Sequence, residues 1–313
     1  MASLFKLTFL GTGGSWPSPG RAMPSFALQV DSIVNLIDCG EGTQKQLMKS
    51  QLSFMDVDNV FISHFHGDHF LGLIGLVQSM SFNDRQKPLN IFCPEMGSRI
   101  LSNALSVGYY RLNFDIIVRE IEPGQTYDLG EFEFSAMKTD HPVPAYAYRF
   151  REKDLVRIDR AKVDELGVPD RIIETIRRNG TAEHGGKTYT LDQISGGIRK
   201  GRILVYSGDT RPMPEKMSEF ARNADVFIHE TTTDSSLEPK VNEFGHTSSR
   251  QAAEIALKAK VKRLFLFHYS PRVSDLRLLE KEARSIFNES YLSRELLEYS
   301  IPFDRSGAAN GNP

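Results

Sequence analysis

One junction recurs along this chain: a short apolar run stops on a residue able to bind a metal or move a proton. Val60–Ile62 runs into His64, Phe132–Met137 into Asp140 and His141, and Ile203–Tyr206 into Asp209. Val226–Ile228 runs into His229 and Glu230, and Leu264–Phe267 into His268. Runs of this length, rich in Val, Ile, Leu and Phe and bounded by turn residues, are expected to be strands. Further strands are expected at Lys6–Leu10, Ala27–Val30, Val34–Ile37, Ile91–Cys93 and Tyr146–Phe150. Longer patterns place helices at Thr43–Ser50, Leu71–Ser81, Met96–Val107, Pro214–Asn223, Ser248–Lys260 and Asp275–Phe287. The helix at Ser248–Lys260 carries Ala252, Ile255, Ala256 and Ala259 at helical spacing. The class is α/β. Such sheets place their sites beyond strand ends, so residues distant in sequence can meet in one cleft.

The densest chemistry lies in His64-Phe65-His66-Gly67-Asp68-His69. His64 and His66 are two apart, and in extended backbone such residues project to one side, so both imidazoles can reach one ion. Gly67 permits a sharp turn, after which Asp68 and His69 point elsewhere at the mouth of the next helix. One short segment can thus serve two adjacent metals, and imidazole with carboxylate is a ligand set suited to zinc. The segment supplies four groups, too few for two closed sites. His141, Asp209 and His268 complete the set because each sits at a strand end, and Asp209 is suited to bridge the ions. His184, in Glu183-His184-Gly185-Gly186, reads as an exposed loop residue.

Composition narrows the class of protein. A net charge of −2 gives no basic excess of the kind a nucleic-acid binder usually carries. Locally, residues 151–202 hold twelve Lys or Arg against nine Asp or Glu. Two cysteines, Cys39 and Cys93, make no disulfide framework and fit a reducing cytoplasm. No apolar run is long enough to span a membrane, and no secretory signal is read at the N-terminus. One domain is expected over residues 1–305, with 306–313 a small polar tail without structure.

Several stretches, in order from about residue 5 to 275, resemble the metallo-β-lactamase fold superfamily and, within it, the ribonuclease Z family. They include Phe9-Leu10-Gly11-Thr12-Gly13, Asp38-Cys39-Gly40-Glu41-Gly42-Thr43-Gln44, the histidine segment and His141-Pro142-Val143-Pro144. Tyr206-Ser207-Gly208-Asp209-Thr210-Arg211-Pro212, His229-Glu230-Thr231, Gly245-His246-Thr247-Ser248 and Phe267-His268-Tyr269-Ser270-Pro271-Arg272 follow. The resemblance implies a four-layer αββα sandwich with an inserted arm, and two Zn²⁺ per subunit. It implies that His64, His66 and His141 hold one zinc, that Asp68, His69 and His268 hold the other, and that Asp209 bridges. It also implies that His246 and Glu230 handle a proton near the leaving oxygen, and that Asp38 orients the histidine loop from behind.

The activity so implied is removal of the 3′ trailer from precursor transfer RNA. Hydroxide held by the metals and oriented by Asp68 attacks phosphorus, leaving a 3′-hydroxyl on the transfer RNA and a 5′-phosphate on the trailer. The catalytic residues are then Asp68, His246 and Glu230. In the family, the interval corresponding to 151–202 bears an arm that reaches the transfer-RNA body, and Arg177, Arg178, Arg199 and Lys200 would contact phosphates there. Family members commonly form homodimers; no other protein partner is expected. Asp170-Arg171-Ile172 after Pro169 departs from the arm's usual Gly-Pro, which leaves a full arm or a short helical insert open. Arg272 either contacts phosphate or pairs with an acid; Gly11-Thr12-Gly13-Gly14 reads as a tight strand-exit turn, and Thr43 as a helix N-cap. Two other functions fit the same residues: a hydrolase of a small phosphodiester, lactone or thioester, and a non-catalytic RNA-binding scaffold.

Overall fold

The computed structural model describes residues 4–303, so the expected tail at 306–313 lies outside the described residues. Two seven-stranded sheets dominate it. The first runs, from edge to edge, Glu298–Ser300, Phe5–Gly11, Ser25–Val30, Ile33–Ile37, Val57–Phe61, Leu89–Cys93, Ile116–Glu120. The second runs Ser290–Leu292, Leu264–Phe267, Val226–Glu230, Ile203–Tyr206, Tyr146–Glu152, Phe132–Lys138, Thr126–Asp128.

Strand periodicity explains the layering. Successive side chains alternate between faces, and here both faces are buried. Phe26 and Leu28 enter a core shared with Tyr146, Tyr148, Phe150 and Tyr206 of the other sheet, whereas Ala27 points to the opposite side. The shared core is rich in aromatic rings: Phe61 stacks on Phe92 at 4.9 Å and meets Phe134 edge-on at 4.8 Å. Such pairs are each worth about 0.5–1.5 kcal/mol beyond simple burial. The outer face of the first sheet packs Leu36, Val60 and Ile91 against Leu47, Leu73 and Leu101 of helices Thr43–Lys49, Gly72–Phe82 and Gly97–Leu105. The outer face of the second packs Val205, Phe227 and Leu266 against Met217, Ala252, Ala256 and Leu279 of helices Pro214–Phe220, Ser249–Ala259 and Arg277–Ile286. Helix, sheet, sheet, helix is the four-layer αββα arrangement.

The helix expected at Leu71–Ser81 is instead a short turn, Gly67–Phe70, followed by Gly72–Phe82. Thr43 is the first helical residue rather than the N-cap, a position that Gly42 takes with φ 89°, and the Thr43 hydroxyl donates to the Gly40 carbonyl. Ser248 and Lys260 flank their helix rather than belong to it: Ser248 forms a reciprocal capping box with Gln251, and Lys260 closes the helix in the left-handed region.

The described chain divides into two compact units, one comprising residues 4–151 and Arg202–Pro302, the other comprising Glu152–Gly201 with Phe303. The second contains more than a short helical insert. Leu155–Ile158 pairs antiparallel with Ser195–Arg199, and Thr181–His184 with Lys187–Thr190. Helices Arg160–Leu166 and Asp170–Asn179 pack Val163, Ile173 and Ile176 around Tyr189 and Ile194. Gly167 ends the first of these helices in the left-handed region and Pro169 sets the entry to the second, which accounts for the Gly-Val-Pro step. His184 is the last residue of a hairpin strand and half-buried, with an Arg171 guanidinium nitrogen at 3.1 Å, rather than an exposed loop residue.

Candidate metal centre

Strand ends of both sheets supply the site. Asp38 follows Ile33–Ile37, His64 follows Val57–Phe61, and His66 leads into the turn that carries Asp68 and His69. His141 follows Phe132–Lys138, Asp209 follows Ile203–Tyr206, Glu230 ends Val226–Glu230, and His268 follows Leu264–Phe267. Ligand atoms of His64, His66 and His141 fall within 4.8 Å of one another, as do those of Asp68, His69 and His268. Asp209 groups with His64 and His69 and also with His246 and His268, which places it between the two sets.

The spacing suits a small cation. A zinc–nitrogen bond of about 2.0 Å in a tetrahedron sets neighbouring ligand atoms about 3.3 Å apart. His66 Nδ1 lies 3.1 Å from His64 Nε2 and 3.2 Å from His141 Nε2. Asp209 Oδ2 lies 3.1 Å from His268 Nε2 and 3.4 Å from His69 Nε2. Three buried atoms here have no hydrogen-bond partner: His69 Nε2, His268 Nε2 and Asp209 Oδ1. An unpaired buried polar atom costs about 1–3 kcal/mol, and a shared cation satisfies all three. The charge environment asks for the same thing. Burial opposes a proton on His69, yet Asp209, Asp38 and Asp68 hold its pKa well above the ordinary value. A metal held there would replace that proton. Burial and then the neighbouring His69 push His64 well below its ordinary range, so its ring stays neutral with a lone pair to give.

The ring tautomers are set from behind. His141 Nδ1 donates to the Gly245 carbonyl at 2.9 Å, and His69 Nδ1 donates to Asp38 Oδ2 at 2.7 Å, which leaves each Nε2 facing inward. Asp38 is buried in the left-handed region at φ 56°. It also accepts from the Ser63 N–H at 2.6 Å, the Ser63 hydroxyl at 2.8 Å and the Tyr206 hydroxyl. Tyr206 thereby ties the second sheet to the histidine loop of the first. Partners of this kind typically contribute 10–100-fold to metal affinity. Asp38→Ala is therefore expected to weaken zinc binding by about that factor in competition with a chromogenic chelator. Unchanged affinity would remove Asp38 from this role.

His268 sits at φ 63°, strained for a residue with a side chain, and its N–H is pinned to the Thr12 carbonyl at 2.9 Å. Gly14 makes room for it, since a Cβ there would lie 2.6 Å from the imidazole ring. The glycine turn is thus a strand exit that braces a candidate ligand. His246 Nδ1 lies 3.2 Å from Glu230 Oε1, and Glu230 also accepts from the Thr210 N–H at 2.9 Å and the Thr232 hydroxyl at 3.0 Å. Burial opposes charge on His246, but Glu230 and then Asp209 outweigh it, and the imidazole is pushed up to about 9. Without metal, the ring therefore carries a proton at neutral pH. A pocket of about 440 Å³ opens onto His66, Asp68, Asp209, His246 and His268.

Three residues of the site went unassigned from sequence. Ser63 and Tyr206 act through Asp38, and Thr232 supports Glu230. All three stand beside expected site residues, but a hydroxyl on a strand end carries no periodic or spacing signal. Among the described residues Arg272 pairs with no acid; its guanidinium lies 5.3 Å from the centre of the Trp16 ring. Arg177, Arg178, Arg199 and Lys200 belong to the second compact unit. There Arg177 pairs with Glu174 at 3.0 Å, Lys200 pairs with Asp154 at 2.7 Å, Arg199 lies over Phe303, and Arg178 is exposed.

Two face-to-face sheets with a metal-ligand cluster at their strand ends define a class, and the model for the beta-lactamase superfamily domain matches residues 35–269. Ribonuclease Z of Thermoplasma volcanium is 61% identical over 301 residues, covering 96% of this chain and 99% of that protein. Ribonuclease Z of Thermoplasma acidophilum is 61% identical over 305 residues, covering 97% and 99%. The crystal structure of human tRNase Z, short form, superposes with a TM-score of 0.71 at 26% identity, covering 95% of this chain and 99% of that one. The chain belongs to the beta-lactamase superfamily and, within it, to the ribonuclease Z family.

Proposed function

We propose that this protein is a two-zinc endoribonuclease that cuts the 3′ trailer from precursor transfer RNA, leaving a 3′-hydroxyl on the transfer RNA and a 5′-phosphate on the trailer. The observation that carries this reading is a pair of ligand groups flanking one carboxylate, Asp209, in a chain 61% identical to ribonuclease Z over nearly its whole length. His64, His66 and His141 would hold one ion and Asp68, His69 and His268 the other, with Asp209 within reach of both groups. Bound zinc supplies Lewis acidity that makes hydroxide available near neutral pH and offsets phosphodiester charge.

The chain's own residues do the rest. Asp68, fixed by the Ser15 N–H at 2.7 Å, orients the attacking water. His246 donates its proton to the leaving 3′-oxygen, and Glu230 holds the ring in position and favours its charged form. The neutral imidazoles of His64, His66 and His141 keep the net charge of the loaded site near +1, which suits an anionic guest over a neutral lactone or thioester. The full set of candidate ligands speaks against a silent scaffold, because a protein that only binds RNA has no use for buried groups left without partners.

The unit formed by Glu152–Gly201 is proposed to grip the transfer-RNA body through exposed cations such as Arg178, which add affinity without reading sequence. Replacing residues 160–195 by a short linker is expected to weaken precursor binding by at least about tenfold and to flatten its salt dependence. Hydrolysis of bis(p-nitrophenyl) phosphate should persist. Equal loss of both activities would count against the arm. We also propose a homodimer, for which exposed Phe82 and Leu112, lining one cleft, offer apolar surface. A cytoplasmic setting is proposed from the two buried free thiols. Among the described residues no helix is long and apolar enough to cross a membrane.

A further inference from the structure

We propose that Trp16, backed by Arg272, is a stacking platform for an unpaired nucleobase beside the scissile phosphate, and that an adjoining cleft bearing Arg21, Lys45 and Lys49 carries the neighbouring backbone. The proposal deepens the ribonuclease reading and rests on it. Trp16 is the chain's single tryptophan, and it is 46% exposed. A ring of this size left open to water loses the burial that usually holds it. Its position is specific. Ser15 and Pro17, its neighbours on either side, both line the metal pocket, and the Ser15 N–H is bonded to Asp68. The Trp16 N–H is fixed to the Gly14 carbonyl at 2.9 Å, on the same turn that makes room for His268.

Arg272 covers the ring, with its guanidinium carbon 5.3 Å from the ring centre. Its own N–H is fixed to the Ser270 hydroxyl at 3.3 Å, four residues along from His268 in the chain. The stack is therefore anchored at both ends to segments that carry candidate ligands. An indole held against a guanidinium near a phosphate-cleaving centre has the chemistry of a base-binding surface: an aromatic face for any base and a cation for the phosphate beside it.

A second observation points the same way. A cleft of about 340 Å³ shares Pro17 and Glu41 with the metal pocket, and Arg21, Lys45 and Lys49 line it. Lys45 and Lys49 are exposed one turn apart on helix Thr43–Lys49. Glu41 and Glu295 also line the cleft, so its cations exceed its acids by one. Stacking rings followed by a cationic groove is how single-stranded nucleic acid is held without sequence preference.

The lone tryptophan makes the test direct. Emission of Trp16 is followed while the zinc-loaded wild type is titrated with a single-stranded RNA hexamer and, separately, with the abasic ribose-phosphate hexamer of equal charge. The hexamer should quench the emission and the abasic chain should not; equal responses, or none to either, overturn the platform. Kinetics on precursor transfer RNA give the second arm. Trp16→Ala should raise KM about tenfold with kcat changed far less, and Trp16→Phe should recover most of the loss. Wild-type cleavage with an unaltered KM in Trp16→Ala rejects the platform alone, whereas a wild type that cuts no precursor rejects the ribonuclease reading beneath it.

Discussion

Asp209→Asn is expected to lower kcat/KM for precursor cleavage by about 10³-fold or more. The change keeps the shape of the side chain and removes its charge. Asp209 is buried, with Oδ1 unpaired and Oδ2 close to His69, His268 and His64 at 3.4, 3.1 and 3.8 Å. Among the described residues no other carboxylate falls in both ligand groups. An amide there presents a neutral oxygen to two cations, and one or both ions should be lost to dialysis. Atomic absorption on the dialysed variant checks this independently of turnover. Two retained metals and near-normal turnover would show that Asp209 does not bridge.

His246→Ala is expected to cost about 10²–10⁴-fold in kcat on precursor RNA, the usual span for a positioned general acid. The leaving group decides how much of that loss shows. A ribose 3′-oxygen is a poor leaving group and needs a proton as the bond to phosphorus breaks. A p-nitrophenolate does not. On bis(p-nitrophenyl) phosphate the same variant should therefore fall by much less, within about tenfold. Glu230→Gln should follow the same pattern more weakly, because His246 Nδ1 keeps a partner while the carboxylate that raises its pKa is gone. If His246→Ala lost equal activity on both substrates, the imidazole would be holding the site together rather than passing a proton.

The sequence made the interior legible and the edges illegible, and the reason is burial. All ten strands expected from apolar runs are present, with Ile203–Tyr206 and Leu264–Phe267 at the expected bounds. The four strands of the large sheets that escaped notice are Ile116–Glu120, Thr126–Asp128, Ser290–Leu292 and Glu298–Ser300, the outermost strand at each of the four edges. Thr126–Asp128, Ser290–Leu292 and Glu298–Ser300 are three residues long and carry no such apolar run, whereas Ile116–Glu120 opens on Ile116-Ile117-Val118 but ends on exposed charges. The helices of the second unit were missed for a related reason. Asp170–Asn179 buries only Ile173 and Ile176 along its length, too little to stand out among its charges.

The site followed the same logic. Candidate ligands could be read because His64, His141, Asp209 and His268 follow strands and His66, Asp68 and His69 share one short segment with the first of them. The groups that aim those ligands could not. Gly14 matters through a clearance of 2.6 Å, and Tyr206 through one hydroxyl crossing between sheets. Both depend on distances that only the folded chain creates. Arg272 was weighed between phosphate and an acid, but its partner is a ring more than 250 residues earlier in the chain.

The central claim is that this cluster loads metal and uses it to cut RNA. The most direct test incubates the purified protein with a 3′-extended precursor transfer RNA in zinc, with and without chelator, and maps both new ends. The expected result is one cut at the base of the trailer, a 3′-hydroxyl on the transfer RNA, a 5′-phosphate on the trailer, and no cut once chelator has stripped the metal. Cleavage that persists in the metal-free protein, or a cyclic or 3′-phosphate end on the transfer RNA, would contradict it.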